Sequence, residues 1–264
     1  MRLMINSGYV LKSVSKVYNI YNKEHVVFKN ISLEISSDDI TVILGESGCG
    51  KTTLLRLLSG LEDISSGEIN FVRENKLYKP KVGLVFQESR LMPWLTVSEN
   101  ISFHNGKIFK KDNLLSKLIH RKSNGNNKDD IDIDKYLQMM KLEKFKNSYP
   151  NELSGGMAQR TSIARALSFN PDLLLMDEPF SSLDYFTRID MQNEVISIHE
   201  STNKGVIFVT HDIEEALKIG KKIIIFTKQG DVKELEINDS YNRDLTSSYY
   251  GKLKKQILNI LKGE

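Results

Sequence analysis

Hydrophobic and polar positions divide the chain into three regions with different rhythms. From Tyr9 to Ile35 apolar residues alternate with polar ones, most clearly at Ile31, Leu33 and Ile35, which predicts strands buried on one face. A short apolar run, Ile40–Leu44, then enters a glycine-rich turn and an apolar-rich stretch, Thr52–Leu58, stopped by Gly60. That order predicts a buried strand, a loop, a helix and a glycine cap. Glu68–Val72 and Val82–Phe86 are further strand candidates.

From about Ser89 to Pro171 the period changes. Apolar residues fall at helical spacing at Tyr136, Leu137 and Met140, and again at Ile163, Ala164 and Leu167. Between them Asn105–Asp130 is polar, with seven Lys or Arg against three Asp. It reads as a solvated insertion, helical in part near Leu114–Ile119, or alternatively as a basic contact surface. Strand candidates return at Leu173–Met176, Val206–Val209 and Ile223–Phe226, and the first two flank a predicted helix, Tyr185–Ser201. A strand–helix–strand crossover of this kind implies a parallel sheet and an α/β fold. In the tail, Leu253, Ile257, Ile260 and Leu261 share one helical face. That face fits packing on its own domain, with a partner or membrane surface as the alternative.

Composition narrows the class. The 264 residues are 40% hydrophobic and 27% charged, as in folded soluble proteins rather than disordered ones. The net charge of +3 is too balanced to argue for nucleic acid. The single cysteine, Cys49, excludes an internal disulfide framework and fits a reducing compartment. No apolar run approaches the ~18 residues of a membrane span, and Met1–Lys12 does not read as a signal peptide. These features predict a cytoplasmic protein and leave its chemistry open.

The chemistry enters with Gly45, Glu46, Ser47, Gly48, Cys49, Gly50, Lys51, Thr52 and Thr53. They carry the spacing G-x-x-x-x-G-K-[ST] after a predicted strand and ahead of a predicted helix. Glycines there let successive N–H groups converge on phosphate oxygens at a helix N-terminus. Lys51 would reach the terminal phosphates and Thr52 would offer its hydroxyl to Mg²⁺. The alternative is a turn in which glycine only relieves strain. A second element, Leu173–Pro179, ends a buried strand in Asp177 and Glu178. Asp177 suits a magnesium shell and Glu178 a base that polarises water. Either acid alone would read as a surface charge or a helix cap.

Between these elements stands Leu153-Ser-Gly-Gly-Met-Ala-Gln-Arg160, and with it the sequence resembles the ATP-binding subunits of ABC transporters. Ser154, Gly155 and Gly156 form a second candidate phosphate cradle, or otherwise a plain N-capped helix. The resemblance runs from Tyr18 to His211. It implies that Tyr18 stacks on adenine, that Gln87 contacts magnesium and water, and that Asp184 of Ser181–Asp184 lies at a dimer interface. It further implies that His211 faces the γ-phosphate, and that the Ser154–Gly156 cradle closes on ATP bound by a second copy. Alone, Tyr18, Gln87 and His211 would read as an ordinary strand aromatic, a loop residue and a structural histidine.

Leu91–Asn100 and Asp177–Arg188 look most like importer subunits serving nitrate, sulfonate, taurine and related small solutes. The implied fold is a P-loop NTPase domain over residues 9–240, with an N-terminal antiparallel β region, a mixed or parallel core sheet and a helical subdomain at about 89–171. Residues 241–264 would form a short helical tail. The implied function is ATP hydrolysis that drives dimer closure and import. The partners would be separate integral-membrane permease subunits at the cytoplasmic face of the membrane and, indirectly, an extracytoplasmic solute-binding protein. The alternative is a non-transport ABC ATPase acting on nucleic acid or ribosomes. Against it, only about a hundred residues, without sustained heptads, separate the glycine loop from Leu153–Arg160. A binder without turnover is disfavoured by the presence of both Glu178 and His211.

Overall fold

The structure, a computed structural model, describes residues 5–21, 23–105, 132–227 and 230–263. Most of the polar stretch 105–130, with the helical segment expected near Leu114–Ile119, lies outside these residues. Two sheets face each other across a helix. The smaller is antiparallel, in the order β2 (Lys23–Ser36), β1 (Ser7–Ile20), β4 (Ser66–Arg73), β5 (Lys76–Tyr78). The larger has six strands, in the order β10 (Val232–Glu236), β9 (Lys222–Phe226), β3 (Ile40–Gly45), β8 (Gly205–Thr210), β7 (Leu173–Asp177), β6 (Val82–Val85). All its pairings are parallel except the antiparallel edge pair β9–β10. The α/β class and the mixed sheet are those the sequence predicts.

The large sheet is covered on both faces, which explains why its strands read as continuous apolar runs rather than alternating ones. Ile43, Ile207, Val209 and Ile224 face helix α1 (Lys51–Leu58) and, beyond it, Tyr9, Leu11, Leu33 and Phe71 of the small sheet. Their neighbours Val42, Leu44, Val206, Phe208 and Ile223 face the helical side. That side comprises α2 (Val97–Ile101), α3 (Ile133–Met139), α4 (Gly155–Ser168), α5 (Tyr185–Thr202), α6 (Ile213–Ile219) and α7 (Ser248–Lys262).

Several short elements escape the sequence pattern: α2, α6, β5 and β10. Each offers fewer than two helical turns or a strand with a largely exposed face, too little for periodicity to register. The tail face expected from Leu253, Ile257, Ile260 and Leu261 turns inward. Ile257 is fully buried, and the other three pack against the helical-side core. Arg243 ties the segment down further, donating to the Leu217 and Gly220 carbonyls at the end of α6 at 2.7 and 2.6 Å. No described helix is long and apolar enough to cross a membrane.

Candidate nucleotide site

Parallel strands β3, β7 and β8 end together, so the residues that follow them meet at one edge of the sheet, where open α/β folds place ligands. After β3 the chain turns through Gly48 and Gly50, both left-handed, into α1. At Gly50 (φ +100°) a Cβ would stand 2.6 Å from the Val27 side chain, so only glycine brings the loop so close to β2. The loop, α1 and the β1–β2 ribbon bound an open cleft of about 410 Å³. Tyr18, Ser47, Gly48, Lys51, Thr52, Thr53, Gln87 and Glu178 line it together, with His25 and Val27.

Lys51 is almost wholly buried, and its Nζ folds back to donate to the Gly45 and Glu46 carbonyls at 2.8 and 2.9 Å. It also stands 3.6 Å from Glu178 Oε1. Glu178 follows β7 at φ +43°, a left-handed conformation costly for a residue with a Cβ. Its surroundings hold it there. Its N–H donates to the Val209 carbonyl at 3.0 Å, and its Oε2 lies 2.8 Å from His211 Nδ1. An ionised carboxylate only accepts, so in this contact Nδ1 carries the proton. A strained acid between a lysine and a histidine, at the mouth of a phosphate-sized loop, is suited to hold a water near a terminal phosphate.

Thr52 Oγ1 donates to Asp177 Oδ1 at 3.0 Å, joining the first turn of α1 to the end of β7. Burial raises the Asp177 pKa, and the Thr52 hydrogen bond opposes that rise. The pair offers a hydroxyl and a carboxylate, hard oxygen donors that fit Mg²⁺, which is usually held by one or two protein oxygens plus phosphate and water. Among the described residues no three His, Cys, Asp or Glu side chains gather into a self-sufficient metal cage, so the donor set present fits a metal carried in with a nucleotide. Gln87 Nε2 donates to Ser181 Oγ at 3.1 Å, and Ser181 donates in turn to the Glu178 carbonyl at 3.1 Å.

Tyr18 lines the cleft, its hydroxyl donates to Glu62, and Lys16 Nζ lies 4.7 Å from its ring centre. Glu62 is held in turn by Arg56 of α1 at 3.2 Å. The ring is thereby tied to the helix that follows the glycine loop. Cys49 is half-buried in the loop, and burial raises its pKa.

Nine expected residues are absent from the cleft lining. Gly45, Glu46 and Cys49 belong to the loop that bounds it, and Asp177 and His211 contact the lining residues Thr52 and Glu178. The other four are Ser154, Gly155, Gly156 and Asp184. Ser154 caps α4, accepting from Met157 N at 3.3 Å; Asp184 caps α5, accepting from Thr187 N at 3.1 Å. Gly155 and Gly156 form the first turn of α4 beside α5, where a Cβ on Gly156 would come 2.7 Å from Thr187 Cγ2. Missing from the sequence reading are His25, Val27 and Glu62, and Ser181 entered it only as the first residue of the Ser181–Asp184 element. Only the strand register that sets His25 opposite Tyr18 could have drawn attention to His25.

Comparison with known proteins bears on this arrangement. The family model described as ABC transporter matches residues 28–181. The chain belongs to that family. It is 38% identical over 252 residues to the aliphatic sulfonates import ATP-binding protein of Bacillus thuringiensis subsp. konkukian, covering 94% of this chain and 93% of that one. It is 36% identical over 250 residues to the Fe(3+) ions import ATP-binding protein of Fusobacterium nucleatum, covering 91% of this chain and 62% of that one. A dimeric ATP-binding cassette solved in a post-hydrolysis state with ADP and Pi superposes with a TM-score of 0.68 at 32% identity, over 88% of this chain and 100% of that one. This ABC protein is therefore an ATP-binding ATPase, and the cleft at the sheet edge is the candidate pocket for its nucleotide.

Proposed function

We propose that this ABC protein is the ATP-hydrolysing subunit of an importer for a small anionic solute of the sulfonate type. The observation that supports it most is that Lys51, Thr52 and Glu178 line one cleft while Asp177 contacts Thr52 and His211 contacts Glu178 behind it. Tyr18 stacks on the base, and the loop amides from Gly45 to Thr53 cradle the phosphates. Lys51 exchanges its two carbonyl partners for phosphate oxygens. Thr52, Asp177 and Gln87 are the residues that would hold Mg²⁺, which when bound neutralises charge on the phosphates. Glu178 orients the attacking water, and His211, after keeping Glu178 in place, turns to the γ-phosphate.

Ser154, Gly155, Gly156 and Asp184 serve the opposite site in a sandwich of two copies. Residues 9–240 are the nucleotide-binding domain, with 89–171 its helical part and 241–264 its tail. The chain sits at the cytoplasmic face of the membrane on permease subunits, which receive solute from an extracytoplasmic binding protein. The test is purification from detergent-solubilised membranes together with uptake. Recovery of a multi-span protein with the chain, and loss of alkanesulfonate uptake when the chain is removed, are expected. Recovery of only ribosomes or nucleic acid would overturn the transport reading, and unchanged sulfonate uptake would overturn the solute.

A further inference from the structure

The segment after β6 carries Gln87 into the cleft, yet it is held chiefly from behind, by α4. Gln159, almost fully buried on α4, donates from Nε2 to the Phe86 carbonyl at 3.2 Å. Six residues along the same helix, the Arg165 guanidinium donates to the Ser89 and Arg90 carbonyls, each at 2.9 Å. Gln87 is thus bracketed, with a carbonyl pinned on either side of it. Arg90 itself is left-handed at φ +44°, a conformation an arginine keeps only under constraint. Its guanidinium lies 4.0 Å from the Phe86 ring centre, closing the loop over itself. Farther on, the fully buried Asn100 exchanges hydrogen bonds with Met92 and accepts no slack at Leu95 and Thr96, whose carbonyls it also holds. Burial also lowers the Arg165 pKa, as expected of a cation withdrawn from water for its hydrogen bonds.

We propose that Arg165, seconded by Gln159, is a positioning residue for Gln87: the helix that begins at Ser154 sets the reach of Gln87 into the cleft through two loop carbonyls and one strand-end carbonyl. This rests on the role proposed above for Gln87. A planar fork suits two successive carbonyls as an ammonium does not. Arg165→Lys therefore keeps the charge and loses the grip. Because α4 carries Ser154, Gly155 and Gly156 at its other end, whatever docks there is mechanically joined to Gln87.

The experiment uses the full chain, with ATP turnover and ATP affinity measured for Arg165→Lys, Gln159→Leu, Gln87→Ala and the double variants with Gln87→Ala. The only tryptophan, Trp94, is 69% exposed and lies between the Arg165 clamp and the Asn100 anchor, so its emission reports the loop. Arg165→Lys is expected to lower kcat by roughly tenfold, to leave ATP affinity within about threefold, and to shift Trp94 emission. Adding it to Gln87→Ala is expected to cost nothing more, since the two act as a unit. Should Arg165→Lys unfold, the Gln159→Leu cycle carries the same expectation. A wild-type kcat in the single variants, or losses that multiply with that of Gln87→Ala, overturns the positioning. Full turnover in Gln87→Ala instead refutes the role of Gln87, and the positioning falls with it.

Discussion

The two candidate phosphate cradles of this chain differ in how complete they are. Around the glycine loop every proposed group already has a partner inside the chain: Lys51 on two carbonyls, Thr52 on Asp177, Glu178 on His211. At the start of α4 the opposite holds. Ser154 caps its own helix, and among the described residues no side chain with acid–base chemistry is bonded to it. One region is a cleft whose proposed groups are already joined to one another, and the other is a helix start whose capping serine bonds within its own helix. In the sandwich proposed above the contrast is a division of labour between binding and completion: one copy holds the nucleotide, and Ser154 completes the site of the other.

The sharpest break of that contrast is Glu178→Gln. The substitution keeps the shape and the left-handed turn but removes the basic carboxylate, so turnover should fall by roughly 10²–10³ while ATP still binds. In the sandwich reading the variant also accumulates as an ATP-bound dimer. Single-turnover hydrolysis and sedimentation measure the two effects, and hydrolysis at the wild-type rate would remove Glu178 from the mechanism. Ser154→Ala probes the other region. Loss of the cap should cost about 1 kcal/mol of stability; turnover should fall by roughly tenfold through the lost phosphate contact. ATP affinity of the single copy should stay unchanged, because Ser154 is outside the cleft. Equal weakening of single-copy binding would erase the distinction between the regions.

Tyr18→Ala should do the reverse of Ser154→Ala. Base–aromatic stacking lost on truncation amounts to about 1–3 kcal/mol, so ATP affinity should drop by at least about fivefold with kcat nearly retained. Tyr18→Phe separates the ring from its hydroxyl, which is bonded to Glu62. A smaller loss in Tyr18→Phe would place most of the effect in the ring. Equilibrium binding of a fluorescent ATP analogue distinguishes these outcomes.

How much of this was legible in advance follows from the range of each signal. The glycine loop, the buried strands and the helix after Gly50 are local patterns, and the structure places them as the pattern predicts. The pairing of Asp177 with Thr52 could not be read locally, because the two are far apart in sequence and meet only when β3 and β7 align in one sheet. Sequence order alone gives no register between distant parallel strands. The grip of Arg165 on Ser89 and Arg90 is less legible still, since backbone carbonyls as acceptors leave no mark on the sequence. Nor did α6 announce itself, being too short for a helical period, although its Asp212 cap, accepting from Glu214 N and Glu215 N, is a recognisable start signal.

Beyond His211, which contacts Glu178 of the cleft, the chain buries a carboxyl, and Glu215 tests what that burial costs. It follows the His211–Asp212 turn, is 5% exposed, and accepts from Gln192 Nε2 at 3.2 Å. Burial raises its pKa, and hydrogen bonds from Thr210 and Gln192 offset only part of the rise. A carboxyl whose folded pKa lies above its unfolded value, about 4.3, keeps its proton longer in the folded state. Stability therefore falls as pH rises from the unfolded value through the folded one, and it stays lower above that. Glu215→Gln removes the titration while its amide oxygen still accepts from Gln192. The variant should melt about 2 °C higher than the wild type at pH 8, and the gap should close as pH falls towards 4. Thermal melts at the two pH values measure it. A gap that grows on acidification would mean that Glu215 is stabilised in its charged form, and that α6 carries this buried charge without cost.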